Sequence, residues 1–429
     1  MSETDEILNY LNIKSQDELF NDIPDEMKVS INLGEPLDEL SLIQLIEDLG
    51  KKNITDNMNF LGNGIYDRFI PPLVDEIIGR NEFLTSYTPY QPEISQGILH
   101  SLFEYQSIIS DLTEMDVTNS SMYDGFTSLA EAVRMAYRIN GKNEVLIPEN
   151  IYKSQLSIIK NYTAGLNLNL ITYGFGSDGF MDLEALKGKI TDKTSAILVA
   201  NPNFFGLIDE NAFHVNEIKK DSILITYYDP ISLGLIVPPG QYGTDIAVAE
   251  GQQLGIHMNY GGPLLGLFSF KKEYVHRSPG RIIGLSKDKQ GRKAFVMTLQ
   301  AREQHIRRAR AMSNICSNQA LLAVASLAYL SILGSDGLKK IALITMNKSK
   351  KLKKELGSNG VKPVFEGINF SDNLFYFDKQ DILGKNNVSG GIKLSQLSEY
   401  SGYKNSSFFS VTEKTSDKNI EELAKIIGD

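Results

Sequence analysis

The sequence predicts an α/β protein built on a mostly parallel β-sheet, and three observations carry that reading. First, strand-like and helical stretches alternate between residues 144 and 270. Second, the strand-like runs are short and apolar, as strands covered on both faces are: Val145–Pro148, Leu166–Tyr173, Ala196–Ala200, Ile223–Thr226, Ile246–Ala249 and Leu264–Phe270. Third, helical stretches at Tyr152–Tyr162, Asp182–Ile190 and Asn211–Lys220 lie between several of them.

The chain has 429 residues, 42% hydrophobic and 22% charged, an ordinary globular composition with room for a sizeable core. The net charge of −10 argues against nucleic acid or an anionic membrane as partner. The single cysteine, Cys316, excludes an internal disulfide and fits a reducing compartment. No Cys/His cluster suggests a metal. The acidic start, MSETDEILNY, lacks the basic and apolar regions of a targeting peptide, so a cytoplasmic location is expected. The longest apolar run, Ala320 to Leu333, would span about 20 Å as a helix against a hydrocarbon core of about 30 Å, so it reads as a core helix.

Residues 1–60 are expected to form a helical arm. Ser15-x-x-Glu18 has the capping-box pattern, and Leu40, Ile43, Ile46 and Leu49 follow helical spacing. The arm packs on a partner or on the main domain. A main domain is expected over 61–333. It opens with a glycine-bounded loop and a helix near Pro72. Pro89 and Pro92 hold Thr85–Gln91 extended, and helical spacing resumes through Ile94, Ile98, Leu102, Tyr105 and Ile109. Tyr87, Tyr90 and Gln91 face a ligand or pack in a core or interface. Asp124, Thr127 and Ser128 offer caps to a helix whose inner stripe is Leu129, Val133 and Ala136 or Tyr137. Free N–H groups at such a start suit an anion, although an ordinary capped helix has the same pattern.

Basic residues cluster over 273–316. In AREQHIRRAR, Glu303 and Arg307 are spaced to pair on a helix. That face is either solvated or turned to a subunit or an acidic carrier. Gly334-Ser335-Asp336-Gly337 breaks the chain before a small α+β domain, 334–429. Its strand candidates are Val361–Phe365, Leu374–Phe377 and Phe408–Val411, with a closing helix Ile420–Ile427.

Five blocks, YTPYQPEISQGIL, SMYDGFTSLAEA, NPNFFG, EGQQLGIHMNYGGP and TLQAREQHIRRARAMSNIC, carry a resemblance that covers nearly the whole chain. They resemble fold-type I pyridoxal-phosphate (PLP) enzymes, and more closely the alpha, or N-terminal, subunit of the glycine decarboxylase P-protein of the glycine cleavage system. The resemblance implies a PLP-transferase large domain with a small C-terminal domain. It places Gln252 where the catalytic beta subunit carries its Schiff-base lysine, and Gly251 where that subunit has a histidine. An amide forms no imine, so PLP is expected on the beta subunit, with no catalytic residue in this chain alone. Lys271 and Lys272, past the glycine turn, are expected to face solvent.

In this family's terms Asp124, Asn201 and Asp229 belong to a vestigial cofactor pocket, and Asn201-Pro202 also reads as a plain turn. Tyr87, Thr88, Tyr90, Gln91, Gly261 and Gly262 are the candidates to reach the partner's cofactor. The implied activity is decarboxylation of glycine by an alpha2-beta2 assembly, with transfer of the aminomethyl group to the lipoyl arm of H-protein. Two alternatives stand beside it: a non-catalytic scaffold or regulatory paralogue, and a stand-alone aminotransferase-like enzyme using another lysine.

Overall fold

The computed structural model describes residues 2–55 and 57–428. They fall into two compact units, within 1–56 and within 57–429.

The smaller unit contains α1 (Glu3–Leu11), 3-10 turns at Gln16–Phe20 and Asp25–Met27, and α2 (Glu39–Gly50). Helix α1 is closed by a Ser2/Asp5 capping box and α2 by Asp38, which accepts from the Ser41 N–H. At Ser15 the expected box is absent: Ser15 makes no cap bond, and Glu18 accepts instead from the Lys14 N–H at 2.8 Å. None of the residues in these helices is buried, and Leu40, Ile43, Ile46 and Leu49 are all exposed.

The first strand of the larger unit, Met58–Asn59, pairs in parallel with Val388–Ser389, so these residues lie outside the arm. Helix α3 (Pro72–Ile78) starts on a proline, whose missing N–H has no partner to lose there. Helix α4 (Gln96–Thr113) buries Ile98, Leu99, Leu102, Tyr105 and Ile109 at helical spacing. Ile94 precedes the helix and is exposed, outside the inner stripe expected for it.

The central sheet follows. Strand β1 (Val117–Thr118) is its short edge, and α5 (Gly125–Asn140) lies across it with Leu129, Val133 and Ala136 buried. Next come β2 (Glu144–Pro148), α6 (Lys153–Thr163), β3 (Asn169–Tyr173) and α7 (Leu183–Lys189). Strands β4 (Thr194–Asn201), β5 (Ile223–Tyr228), β6 (Ile246–Glu250) and β7 (Gly266–Phe270) complete it. The order is β1-β7-β6-β5-β4-β2-β3. Strands β3, β2, β4, β5 and β6 are parallel; β7 runs antiparallel to β6, and β1 antiparallel to β7. The chain leaves β2 for β3 on one side and returns to β4 on the other, a switch point whose crevice opens at the strands' carboxyl ends.

The basic region differs from expectation. It holds an antiparallel hairpin, β8 (Ile282–Lys287) with β9 (Lys293–Thr298). AREQHIRRAR forms single turns at Gln300–Arg302, Gln304–Arg307 and Arg308–Arg310. Left-handed Leu299 and Arg308, with extended Glu303, interrupt any longer helix. The Glu303–Arg307 pair therefore does not form. Glu303 faces Arg281 and His305, each at 3.6 Å, and Arg307 donates to the Ala301 carbonyl.

Helix α8 (Ala320–Ser358) is long and apolar enough by length and composition to cross a membrane. It leaves helical geometry at Gly334, and Ala323, Val324, Ala325, Tyr329 and Leu330 sit in the core with α4 residues. Beyond Gly334 it covers a three-stranded antiparallel sheet, ordered β10 (Asp372–Tyr376), β12 (Ser406–Ser410) and β11 (Ile392–Lys393). Val361–Phe365 is not a strand; Pro363 makes one isolated bridge to Phe375. Helix α9 (Asp417–Gly428) closes this layer through Ile420, Leu423 and Ile427, packed with Leu352, Leu356, Phe375 and Phe409.

Phe268 is fully buried beside Leu129 and Val133 in the core under α5. Phe268→Ala removes a ring from this fully buried site, at a cost of about 3–5 kcal/mol. The check is the urea unfolding midpoint, which should fall clearly; an unchanged midpoint would show that the α5 face is not closely packed.

Candidate functional site

The carboxyl ends of β2, β4, β5 and β6 meet in one cavity, with Pro148, Ala200, Asp229 and Glu250 in its wall. Its space is about 760 Å³ counting the open mouth. The opposite wall comes from the small sheet and the loop before α3, through Asp372 and Tyr66. Gly206, at φ +80°, lets the turn after β4 approach this layer: a Cβ there would lie 2.1 Å from the Asp372 carbonyl. Aromatic rings of Tyr152, Phe204 and Tyr227 line the remainder, with Tyr152 and Phe204 edge to face at 4.6 Å between centroids. Among the described lining residues there is no lysine, arginine or histidine.

Asp229 sits just past the end of β5. Its Oδ1 accepts from the N–H groups of Ile231 at 2.9 Å and Ser232 at 3.0 Å. Its Oδ2 accepts from the Gln253 side chain at 2.8 Å. The Gln253 carbonyl in turn accepts from Arg68 Nε at 3.0 Å and Nη2 at 2.7 Å. Arg68 is buried, donates to Thr345 and Ser371, and pairs with Glu413 at 2.7 Å. Burial works against the Arg68 charge, but Glu413 and Asp229 hold its pKa above the ordinary value.

Gln252 is buried and turned away from the cavity wall. Its carbonyl accepts from the Tyr66 N–H at 3.0 Å, and its amide donates to the carbonyls of Tyr66 and Ile256. Asn201 also faces away, accepting from the Asp209 N–H at 3.0 Å, and its peptide bond to Pro202 is cis. Asp124 caps α5 through the N–H groups of Phe126 and Thr127. The start of α5 has none of the free donors expected there. The Gly125 N–H points at Glu250 Oε2, 2.8 Å away. Lys271 lies at the other end of the sheet, where it and Lys219 pair with buried Asp245.

Glu250 also accepts from the N–H groups of Gln252 at 2.9 Å and Leu265 at 3.2 Å. Burial is the larger influence on it: it pushes the carboxyl from 4.5 up to about 7 against the three backbone donors, and nearby Asp124 pushes the same way. Burial likewise raises Asp372, which accepts from Tyr66 Oη at 2.6 Å and from Ser410.

A second cluster lies outside this cavity. Arg281, itself buried, donates to Thr88 Oγ1 at 3.2 Å and Tyr90 Oη at 3.3 Å, and its guanidinium lies 5.5 Å from the centroid of the Tyr90 ring. His305 stands edge-on to Tyr90, and Tyr87 Oη meets Ser317 Oγ at 2.9 Å. Tyr87, Tyr90 and Gln91 are exposed. Gly261 and Gly262 occupy a separate turn at φ +109° and +149°, and among the described residues no hydrogen bond joins them to the Tyr87–Tyr90 segment. Of the ten candidate residues, only Asp229 lines the cavity. Gln252, Asn201 and Asp124 are spent on the chain's own backbone beside it, Tyr87, Thr88, Tyr90 and Gln91 form a largely exposed segment, and Gly261 and Gly262 a separate turn. Reading the sequence missed Tyr66, Arg68, Glu250, Gln253 and Asp372. Only Glu250 and Gln253 carried a signal, as neighbours of Gln252 in EGQQ.

Residues 1–427 match the glycine cleavage system P-protein family. The chain belongs to that family. It is 56% identical over 430 residues to the probable glycine dehydrogenase (decarboxylating) subunit 1 of Thermoplasma volcanium, covering 100% of this chain and 99% of that one. A crystal structure of glycine decarboxylase (P-protein) in inhibitor-bound form superposes with a TM-score of 0.91 at 33% identity, covering 100% of this chain and 98% of the other. A sphingosine-1-phosphate lyase of Burkholderia pseudomallei K96243 shares the fold, with a TM-score of 0.67 at 11% identity over 94% of this chain and 92% of that one.

The PLP that the sequence resemblance implies poses a test of fit for this chain. Its cavity lacks a lining lysine, Gln253 already occupies one oxygen of Asp229, and Glu250 already occupies the start of α5. These residues do not fit PLP.

Glu250 gives a pH prediction. Its folded-state pKa lies above the ordinary 4.5, so the folded chain holds the proton to higher pH than the unfolded chain does. The stability this contributes is full below about 4.5 and is lost as pH rises through about 7. Glu250→Gln keeps an acceptor for Gly125 and removes the titration. Relative to wild type, its stability should rise by about 1–3 kcal/mol between about pH 5 and about pH 8. Denaturation curves across that range would refute this by staying parallel.

Proposed function

We propose that this chain is the subunit of glycine decarboxylase that carries no cofactor. A second, lysine-bearing subunit holds PLP, and the two decarboxylate glycine and pass the aminomethyl group to the lipoyl arm of H-protein. An alpha2-beta2 assembly in the cytoplasm is part of this reading. One observation carries it: a chain that matches P-protein along its full length has a sheet-end cavity without a lysine. The exposed apolar residues of the arm support a partner surface, since a small unit that buries none of its helical residues gains little stability from its own packing.

The Tyr87–Tyr90 segment is the part proposed to reach the partner's site. Arg281 restrains it through Thr88 and Tyr90, so the Tyr90 ring has less rotamer freedom left to lose, and Tyr87 is tied through its hydroxyl to Ser317. The basic turns around Arg307, Arg308 and Arg310 are exposed and would suit an acidic carrier.

The test is glycine–bicarbonate exchange by this chain mixed with its subunit 2 relative. Either chain alone should be inactive and the mixture active. Tyr87→Ala or Tyr90→Ala should lower exchange by about tenfold or more while the complex still forms. Exchange indifferent to both changes would favour a scaffold, and stoichiometric borohydride-trapped PLP on a lysine of this chain would favour a stand-alone enzyme.

Gln252→Lys should not create a second active site. An ammonium cannot accept from the Tyr66 N–H, so a buried donor loses its partner at a cost of about 1–3 kcal/mol. Exchange by this variant, mixed with a subunit 2 whose own lysine has been removed, should stay at background. Activity near that of the native pair would show that the cavity lacks only its amine.

A further inference from the structure

The start of α5 lies at the carboxyl edge of the sheet beside the cavity. A helix start of this kind, with its backbone N–H groups and the positive end of the helix dipole, is a ready-made phosphate site. Here the first-turn donors are spent within the chain. Gly125 donates to Glu250, and Phe126 and Thr127 donate to Asp124 at 2.9 and 2.8 Å. Glu250 gathers two further N–H groups, from Gln252 and Leu265, so three backbone donors from α5, the end of β6 and the start of β7 converge on one carboxyl. No ion pair is recorded for Glu250 among the described residues. The approach is also tight: a Cβ on Gly125 would lie 2.6 Å from the Glu250 nitrogen and 2.9 Å from the Ala249 carbonyl carbon.

We propose that Glu250 is a built-in occupant of the anion position at the start of α5, and that its side chain closes this chain's cavity to phosphate-bearing ligands. The proposal deepens the reading of the chain as the subunit without cofactor. It gives that absence a second cause besides the missing lysine: the place for a phosphate is filled from within. The occupant is delivered by the strand end itself, so it is tethered and its effective concentration is high. A carboxyl group satisfies the converging donors with two oxygens, where a phosphate would need space for four. Cutting the side chain back leaves the donors pointing into a hole the size of a small anion, in the field of the helix start.

The experiment uses the full chain as wild type, Glu250→Ala and Glu250→Gln, with inorganic phosphate, PLP and unphosphorylated pyridoxal as probes. Binding is read by equilibrium dialysis and by the rise in melting temperature at about pH 8. The alanine variant is expected to gain one saturable phosphate site per chain, at least about tenfold tighter than any wild-type binding. Wild type and the glutamine variant should stay closed, because glutamine fills the same space. PLP should bind the alanine variant as phosphate does, and pyridoxal should not. Glu250→Ser, with a smaller cavity, decides the matter where the alanine chain does not fold.

A saturable phosphate site on the wild-type chain, or folded alanine and serine variants that gain none, would overturn the proposal. The two readings fail separately. Covalent cofactor on a lysine of this chain would sink the assignment as the cofactor-free subunit, while Glu250 is judged by phosphate alone.

Discussion

The buried guanidinium of Arg68 is the contact on which the site region depends. It reaches Glu413 beyond β12, Thr345 on α8, Ser371 before β10 and Gln253 after β6. An arginine buried this deeply is tolerable only when its donors are matched, and removing one charged partner of such a pair costs about 3–5 kcal/mol. The small sheet is thereby held against the strand ends, and the cavity exists because the two layers meet there. Gln253 extends the network without adding charge, spanning from Arg68 to Asp229 as a neutral amide. A lysine in its place would set a second cation against Arg68.

The same economy of internal partners runs through the cavity. Asp229 takes two backbone donors and an amide, Asp372 takes Tyr66 and Ser410, and Glu250 takes three N–H groups. Each acid that would otherwise address a ligand is answered by its own chain. The exposed cluster is built the other way. Arg281 is fixed below, and the rings of Tyr87 and Tyr90 above it are left open to solvent. The cavity's polar groups are thus satisfied from within the chain, while the aromatic segment keeps its rings exposed.

The alternating pattern made the central sheet legible. Ile223–Thr226 and Ile246–Ala249 were read as inner strands and lie in β5 and β6, because parallel strands covered on both faces must be apolar throughout. The hairpin β8–β9 is not legible in the sequence: Ile282–Lys287 buries only its first two residues and exposes Leu285, and Phe295 and Met297 alternate over too short a run to stand out. AREQHIRRAR misled for a related reason. Its spacing suits a helix, but buried Arg302 is pulled inward by the Ser278 and Gly280 carbonyls, which fixes the backbone in single turns.

By itself the sequence determined the α/β class, the strand sequence, the family and the lack of an amine after β6, since periodicity and residue chemistry are local properties. Only the tertiary structure decided which neighbour in Glu250-Gly251-Gln252-Gln253 faces the cavity. Where a chain leaves a strand, side-chain direction depends on the turn's dihedrals and on which buried donors need an acceptor. Here the Tyr66 N–H claims Gln252, Arg68 and Asp229 claim Gln253, and the start of α5 claims Glu250. The donors Tyr66, Arg68 and Gly125 lie more than a hundred residues away in the chain and the acceptor Asp229 lies 24 away, so no reading of the four residues alone could have sorted them.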